Sequence, residues 1–257
     1  VILERFKEYG GKILTTSPVT QIKVKNNCVD GLEVNRSNFI SSQYIVSNAD
    51  AKQTFLDLIG KRYISKDFIK MLDNLKPSLS MLILYLGMKG DIGNILGDSN
   101  IWFLPSYNIE KMYHMASNGD IERSDWFVSH LLPDRKSLRM LINSSFKDNK
   151  YWQDNKQRLI DIFINKIQSV IPNISKEIVF KDAATPNTLY KWTLNHCGAA
   201  YGWESTLSQF AISGIARTTP INNLFLAGHW TTLAMGVSGV AYVGRDVARM
   251  ILYKAGQ

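Results

Sequence analysis

The residues best suited to chemistry lie near the C-terminal end of the chain. Asn223-Leu224-Phe225-Leu226-Ala227-Gly228-His229-Trp230-Thr231-Thr232 carries an apolar strand into a glycine. Ala234-Met235-Gly236-Val237-Ser238-Gly239-Val240 then opens an apolar helix that runs to Leu252. A glycine at a strand end lets backbone approach a flat ligand closely. Unpaired N–H groups and about half a positive charge at a helix N-terminus favour an anion or a polarised carbonyl. Met235, Gly236, Val237 and Gly239 would contribute mostly backbone, with Gly228 and His229 beside them. Ordinary strand–helix turns also use glycine, so the spacing alone leaves both readings open.

A second glycine block, Gly198-Ala199-Ala200-Tyr201-Gly202-Trp203, follows His196 and Cys197. With Trp230 it supplies Tyr201 and Trp203 as an aromatic cluster that would suit a long apolar ligand, or would simply pack a domain junction. His196 could relay a proton or serve as a satisfied structural group. His114 and His130 have no partner in their local sequence. Cys28 and Cys197 are the only cysteines; their separation supports neither a disulfide framework nor a metal site, and a thiol is more often inert than redox-active.

These residues need a scaffold. Ile13-Leu14, Val19–Val24, Val29–Val34 and Tyr44–Val46 read as short strands separated by Ser-Pro, Asn-Asn and Asp-Gly turn signals. Residues 51–75 read as helical, broken at Gly60. Ser80–Gly87 is a continuous apolar strand of the kind found in a sheet covered on both faces. Trp126–Leu132 and Ser137–Phe146 read as two strands joined at Pro133-Asp134. Residues 152–171 form an amphipathic helix with Leu159, Ile160, Phe163, Ile167, Val170 and Ile171 on one stripe.

The 257 residues, 45% hydrophobic and 20% charged, can bury a sizeable core. The net charge of +8 is scattered, with no run of five basic residues and no aromatic interleaving, so a nucleic-acid face is not expected. The sequence shows no secretory signal and no apolar run long enough to span a bilayer. A cytoplasmic protein is expected, and the basic helix ends and apolar 158–171 face could meet a membrane surface.

Leu224, Leu226, Ala227, Gly228, Thr231, Gly236, Val237, Gly239, Gly244, Arg245 and Ala248 match a longer pattern. It resembles the C-terminal FAD-binding motif of the phytoene desaturase and carotenoid isomerase family, within the amine-oxidase-like flavoproteins. The chain departs from it at Leu233-Ala234, where Pro-Gly is usual, and at Ser238. Two further blocks occur in the family's order. Gly10-Gly11-Lys12-Ile13 through Gly31-Leu32 to Val46-Ser47-Asn48-Ala49-Asp50 resembles its middle signature. Ala184-Thr185-Pro186-Asn187-Thr188 with Gly198 to Trp203 resembles the block before its last motif.

The resemblance implies an α/β fold with α+β elements: a partial glutathione-reductase-like FAD domain, residues 1–77 and 181–257, with a mixed-sheet substrate domain inserted at 78–180. It implies FAD as cofactor, Val19 beside the adenine, and a polyene such as a carotenoid as apolar substrate, desaturated or isomerised by hydride transfer to or from flavin. No catalytic side chain is assigned beyond His196, Tyr201 and Trp203 as candidates. An amine-oxidase-like enzyme on another substrate, or a non-catalytic subunit that needs a partner chain, remain as alternatives. The G-x-G-x-x-G fingerprint that holds the FAD pyrophosphate in this group does not occur in the sequence, so the chain reads as the C-terminal part of a longer flavoprotein, or as one needing a partner for the missing half. The 257 residues expressed alone are therefore expected to purify without flavin. Stoichiometric yellow flavin retained through gel filtration would refute this.

Overall fold

The computed structural model describes residues 2–96, 100–211, 216–231 and 236–256. The first helix, α1 (Ile2–Glu8), contributes no side chain to a core, and Ile2 and Tyr9 are almost fully exposed. Strands β1 (Val19–Lys25) and β2 (Cys28–Val34) form an antiparallel hairpin turned by Asn26 and Asn27, both at positive φ (49° and 56°). That pair of left-handed residues is what a two-residue hairpin turn requires, and asparagine tolerates it. β3 (Asn38–Ser41) adds to β2 as the third strand. Its surroundings are polar and all four residues are exposed, which hides it from a pattern search. The strand expected at Ile13-Leu14 is absent: those residues are irregular and open to solvent.

β4 (Ile45–Ser47) leads into a helical segment that is π-helical over Gln53–Gly60 and stops at Gly60, φ +92°. Helix α2 (Lys66–Asn74) follows, capped by Ser65 Oγ, which accepts from the Phe68 N–H at 3.2 Å. β5 (Ser80–Met88), α3 (Gly93–Leu96), β6 (Ile101–Phe103), α4 (Ile109–Ser117), β7 (Phe127–Leu131), β8 (Ser137–Ser144) and α5 (Asn149–Val170) come next. β9 (Ile178–Ala184), α6 (Pro186–Thr193), α7 (Leu207–Ala211), β10 (Leu224–Leu226) and α8 (Gly236–Lys254) complete the chain.

Five strands form one sheet in the order β6-β7-β8-β5-β9. All four pairings are antiparallel, so the strands alternate in direction throughout, where a mixed sheet is expected from the sequence. The continuous apolar run of β5 also splits. Leu82, Leu84, Leu86 and Met88 are buried, whereas Ile83 is half-buried and Tyr85 exposed. Alternation along a strand sends these two sets to opposite faces, and α5 covers one of them with Leu159, Ile160, Phe163 and Ile167. The apolar stripe of α5 is therefore spent on the core and is not free for a membrane surface. Leu159, Phe163 and Ile167 are wholly buried.

A second core joins the three-stranded sheet, the π-helical segment, α2, Trp203 and Trp230. Beside it β4 and β10 pair in parallel, Ile45 opposite Leu224 and Ser47 opposite Leu226. Phe225 turns to the other side, where it packs with Val243 and Val247 of α8. All of β10 is buried, as its unbroken Leu-Phe-Leu predicts. Truncating Phe163 to alanine is expected to destabilise the protein by ~3–5 kcal/mol, as for other large buried aromatics. Urea denaturation of the Phe163→Ala variant checks this.

Candidate functional site

The parallel pair β4–β10 ends at two polar turns that face each other. After β4 come Asn48, Ala49 and Asp50; after β10 come Gly228 and His229. Gly228 has φ +84° and lies so close to Asn48 that a Cβ there would meet Asn48 Oδ1 at 1.9 Å. Glycine is favoured there by its positive φ, and any Cβ would also displace the Asn48 side chain. The turn is braced from within, since Thr231 Oγ1 donates to the Gly228 carbonyl at 2.9 Å.

Asp50, 1% exposed, connects this turn to the second glycine block. Its Oδ1 accepts from the Gln53 N–H at 3.0 Å, capping the helical segment. Its Oδ2 accepts from the His196 backbone N–H at 2.7 Å, across 146 residues of sequence. The block that begins there folds onto the His229 turn. Gly202, φ +75°, packs so tightly on it that a Cβ would lie 2.0 Å from the His229 carbonyl oxygen. Trp203 and Trp230 are edge-to-face at 4.8 Å between centroids, and the Trp203 indole N–H donates to the Trp230 carbonyl at 2.9 Å. The Trp230 indole N–H donates to Asn195 Oδ1 at 3.1 Å.

The structure thus brings together Gly228, His229, His196, Tyr201, Trp203 and Trp230, which are scattered over 35 positions in the sequence. It also separates their roles. Trp203 and Trp230 are buried, with their indole N–H groups satisfied, and so belong to the junction core and present no aromatic wall to a ligand. Tyr201 is half exposed and lines a cavity of about 510 Å³ with Ser78, Leu79, Tyr113, Asn143 and Glu204. The Tyr113 hydroxyl donates to Glu204 across this cavity. Burial, and then that contact, push its pKa up to about 12. Burial holds the His196 and His229 rings below the ordinary histidine range and raises the Cys197 thiol, which keeps it protonated and unreactive.

Gly236 opens α8 with φ +66° and nothing within 4 Å of where a Cβ would stand. Val237 is 86% exposed, so the first turn of a 19-residue helix is open. Gly239 lies in the same first turns of α8. Met235 lies outside the described residues. Val19 starts β1 on the three-stranded sheet, paired with Val34, and none of its described contacts reaches the glycine turns. Asn195 is not marked by any sequence signal. Asn48 and Asp50 close the block that resembles the family's middle signature, but no role for their side chains follows from it; an Asp directly between an apolar strand and a helix is also a capping pattern. Among the described residues no cluster of histidine, cysteine or acidic side chains could hold a metal, and no helix is long and apolar enough to cross a membrane.

The fold is shared with solved structures. An oxidoreductase from Methanosarcina mazei superposes with a TM-score of 0.63 at 17% identity, over 96% of this chain and 52% of that one. A triple mutant of putrescine oxidase, redesigned in its cofactor binding, superposes with a TM-score of 0.60 at 10% identity, over 97% and 52%. By sequence the chain is 23% identical over 264 residues to the lycopene-forming phytoene desaturase of Pseudescherichia vulneris, covering 98% of this chain and 53% of that protein. It is 26% identical over 249 residues to the chloroplastic prolycopene isomerase of Daucus carota, covering 92% and 40%. It is 22% identical over 256 residues to the all-trans-retinol 13,14-reductase of Rattus norvegicus, covering 85% and 42%. No family model matches the chain. By sequence the chain is thus similar to phytoene desaturases and a carotenoid isomerase among oxidoreductases, and it spans about half the length of the curated relatives it matches.

The lowered histidines make stability depend on pH with a definite sign. Unfolded histidine binds its proton near 6.5, whereas folded His196 and His229 bind theirs only at lower pH. Below 6.5 the unfolded state therefore holds more protons, so stability falls as pH drops toward 5 and is flat above 7. Urea midpoints measured between pH 5 and 7.5 are expected to show this slope, and His229→Gln is expected to reduce it.

Proposed function

We propose that this chain is the part of an FAD-dependent oxidoreductase that receives the flavin end of the cofactor, and that the whole enzyme desaturates or isomerises an apolar polyene. The observation that carries this reading is the backbone at two glycines. Gly228, φ +84°, lies against the Asn48 side chain at the end of β10, and Gly236, φ +66°, opens the exposed first turn of α8. A flat, partly anionic ring system is the ligand such a surface accepts, so the residues fit a flavin dinucleotide. When bound, that flavin supplies hydride acceptance or donation.

The chain's own residues hold and enclose. The first N–H groups of α8 would stabilise negative charge on the ring edge they face. The buried Trp203–Trp230 pair keeps water from the junction behind the site. The named relatives are two polyene enzymes and a retinol reductase, which supports an extended apolar substrate over a compact polar one.

A second reading, an amine substrate, draws on Glu204. Its carboxyl group stands beside Tyr201 and Tyr113 in the 510 Å³ cavity and could meet a cationic group. The two readings part in anaerobic mixing with the product of the complete reading frame. That product is expected to carry FAD, and a desaturable or isomerisable polyene is expected to turn over on it. Bleaching of the flavin by an amine, with no change in any polyene, would favour the second reading. Gly236→Glu is expected to abolish FAD retention in the same product, by placing a charged side chain in the open space before α8. Normal flavin content in that variant would move the flavin away from this loop.

A further inference from the structure

Asn195 is 9% exposed and makes three side-chain hydrogen bonds. Its Oδ1 accepts from the Trp230 indole N–H at 3.1 Å. Its Nδ2 donates to the Ala199 carbonyl at 3.1 Å and meets His229 Nε2 at 3.4 Å. These partners leave the amide one orientation. An indole nitrogen can only donate and a backbone carbonyl can only accept. Reversing the amide would set donor against donor at Trp230 and acceptor against acceptor at Ala199, leaving two polar contacts unmade in a dry site. One hydrogen of the amide nitrogen goes to Ala199, and the other points at His229 Nε2. That nitrogen must therefore present its lone pair. The imidazole is then neutral, with its proton on Nδ1. Gly202 packs against ring carbon Cδ2, on the Nε2 side, and Nδ1 has no hydrogen-bond partner among the described residues.

We propose that Asn195 is a positioning residue that fixes His229 as a neutral imidazole protonated on Nδ1, so that the turn after Gly228 offers an incoming ligand a hydrogen-bond donor. The atom it suits is an acceptor oxygen. A positive charge, or an acceptor nitrogen, is what the same ring would offer without Asn195. Asp50 is the charged group whose field reaches the ring, and it acts toward protonation. The amide opposes that, because an imidazolium would need an acceptor at Nε2 and finds an N–H. This inference deepens the flavin reading, but its test needs no flavin, so either can fail without the other.

The experiment is long-range proton–nitrogen correlation on the 257-residue chain, labelled with 15N-histidine, at pH 7.5. His229 is identified by the signal lost in His229→Gln. The expected pattern is a protonated Nδ1 and a lone pair on Nε2, the reverse of the tautomer that free histidine prefers. In Asn195→Asp a group that accepts replaces one that donates, so the proton is expected to move to Nε2 and the ring to titrate at higher pH. In Asn195→Leu the signals are expected to relax to the mixture of a free ring, and the Trp230 indole resonance to shift. An Nε2 proton in the unsubstituted chain would overturn the proposal, whatever the variants do. So would an unchanged tautomer in a folded Asn195→Asp or Asn195→Leu variant, folding being judged from the other three histidine signals.

Discussion

The Asp50 side chain is the constraint on which the site depends. It is a buried carboxylate next to a core that includes Ile45, Phe55, Leu224 and Leu226, where an unsatisfied oxygen would be costly. Both oxygens find backbone N–H groups, one in the helix that Asp50 starts and one at His196. The second bond fixes where the chain re-enters after the five-stranded sheet. From His196 the next residues are committed: Gly198 accepts from Ser80 Oγ, Asn195 holds Trp230, and Gly202 seats on the His229 turn.

The same stretch also binds the two large cores together. Ala200 N–H donates to the Leu79 carbonyl, Ser78 N–H to the Gly202 carbonyl, and Glu204 N–H to the Lys76 carbonyl. Residues 76–80 and 198–204 thus run beside each other as a seam, with Pro77 opposite Trp203. On one side of this seam lies the sheet carried by α5; on the other lie the paired strands β4 and β10. Tyr201 and Glu204 sit on the seam and open into the cavity, so the cavity and the glycine turns are set by one run of backbone hydrogen bonds. Positive φ at Cys197, Gly198 and Gly202 allows the seam to bend so sharply, which explains the density of glycine there.

Much of this was legible in the residues. The order of the three blocks is read through the family resemblance, whereas the Asn-Asn hairpin, the apolar strand of β10 and the amphipathic α5 follow from local periodicity and turn chemistry. Those signals depend only on near neighbours in sequence. The failures share a cause as well. β3 lacks an apolar face, so no pattern marks it. The unbroken apolar run of β5 suggested cover on both faces, yet alternation buries one row fully and leaves Tyr85 on the other. The α5 stripe read foremost as a core face but left a membrane face open, because amphipathicity records an apolar face and not its partner.

By itself the sequence determined the kind of backbone at the site: glycine where chain meets chain, a strand running into a helix, and the family these blocks resemble. Only the tertiary structure decided which side chains act together. Asn195 and His229 are 34 residues apart, and nothing in either neighbourhood announces the other. A histidine's tautomer is set by the group opposite its ring nitrogen, and a buried tryptophan's role by whether its N–H is already spent. Both are properties of contacts between distant segments, which exist only once the two cores have closed on each other.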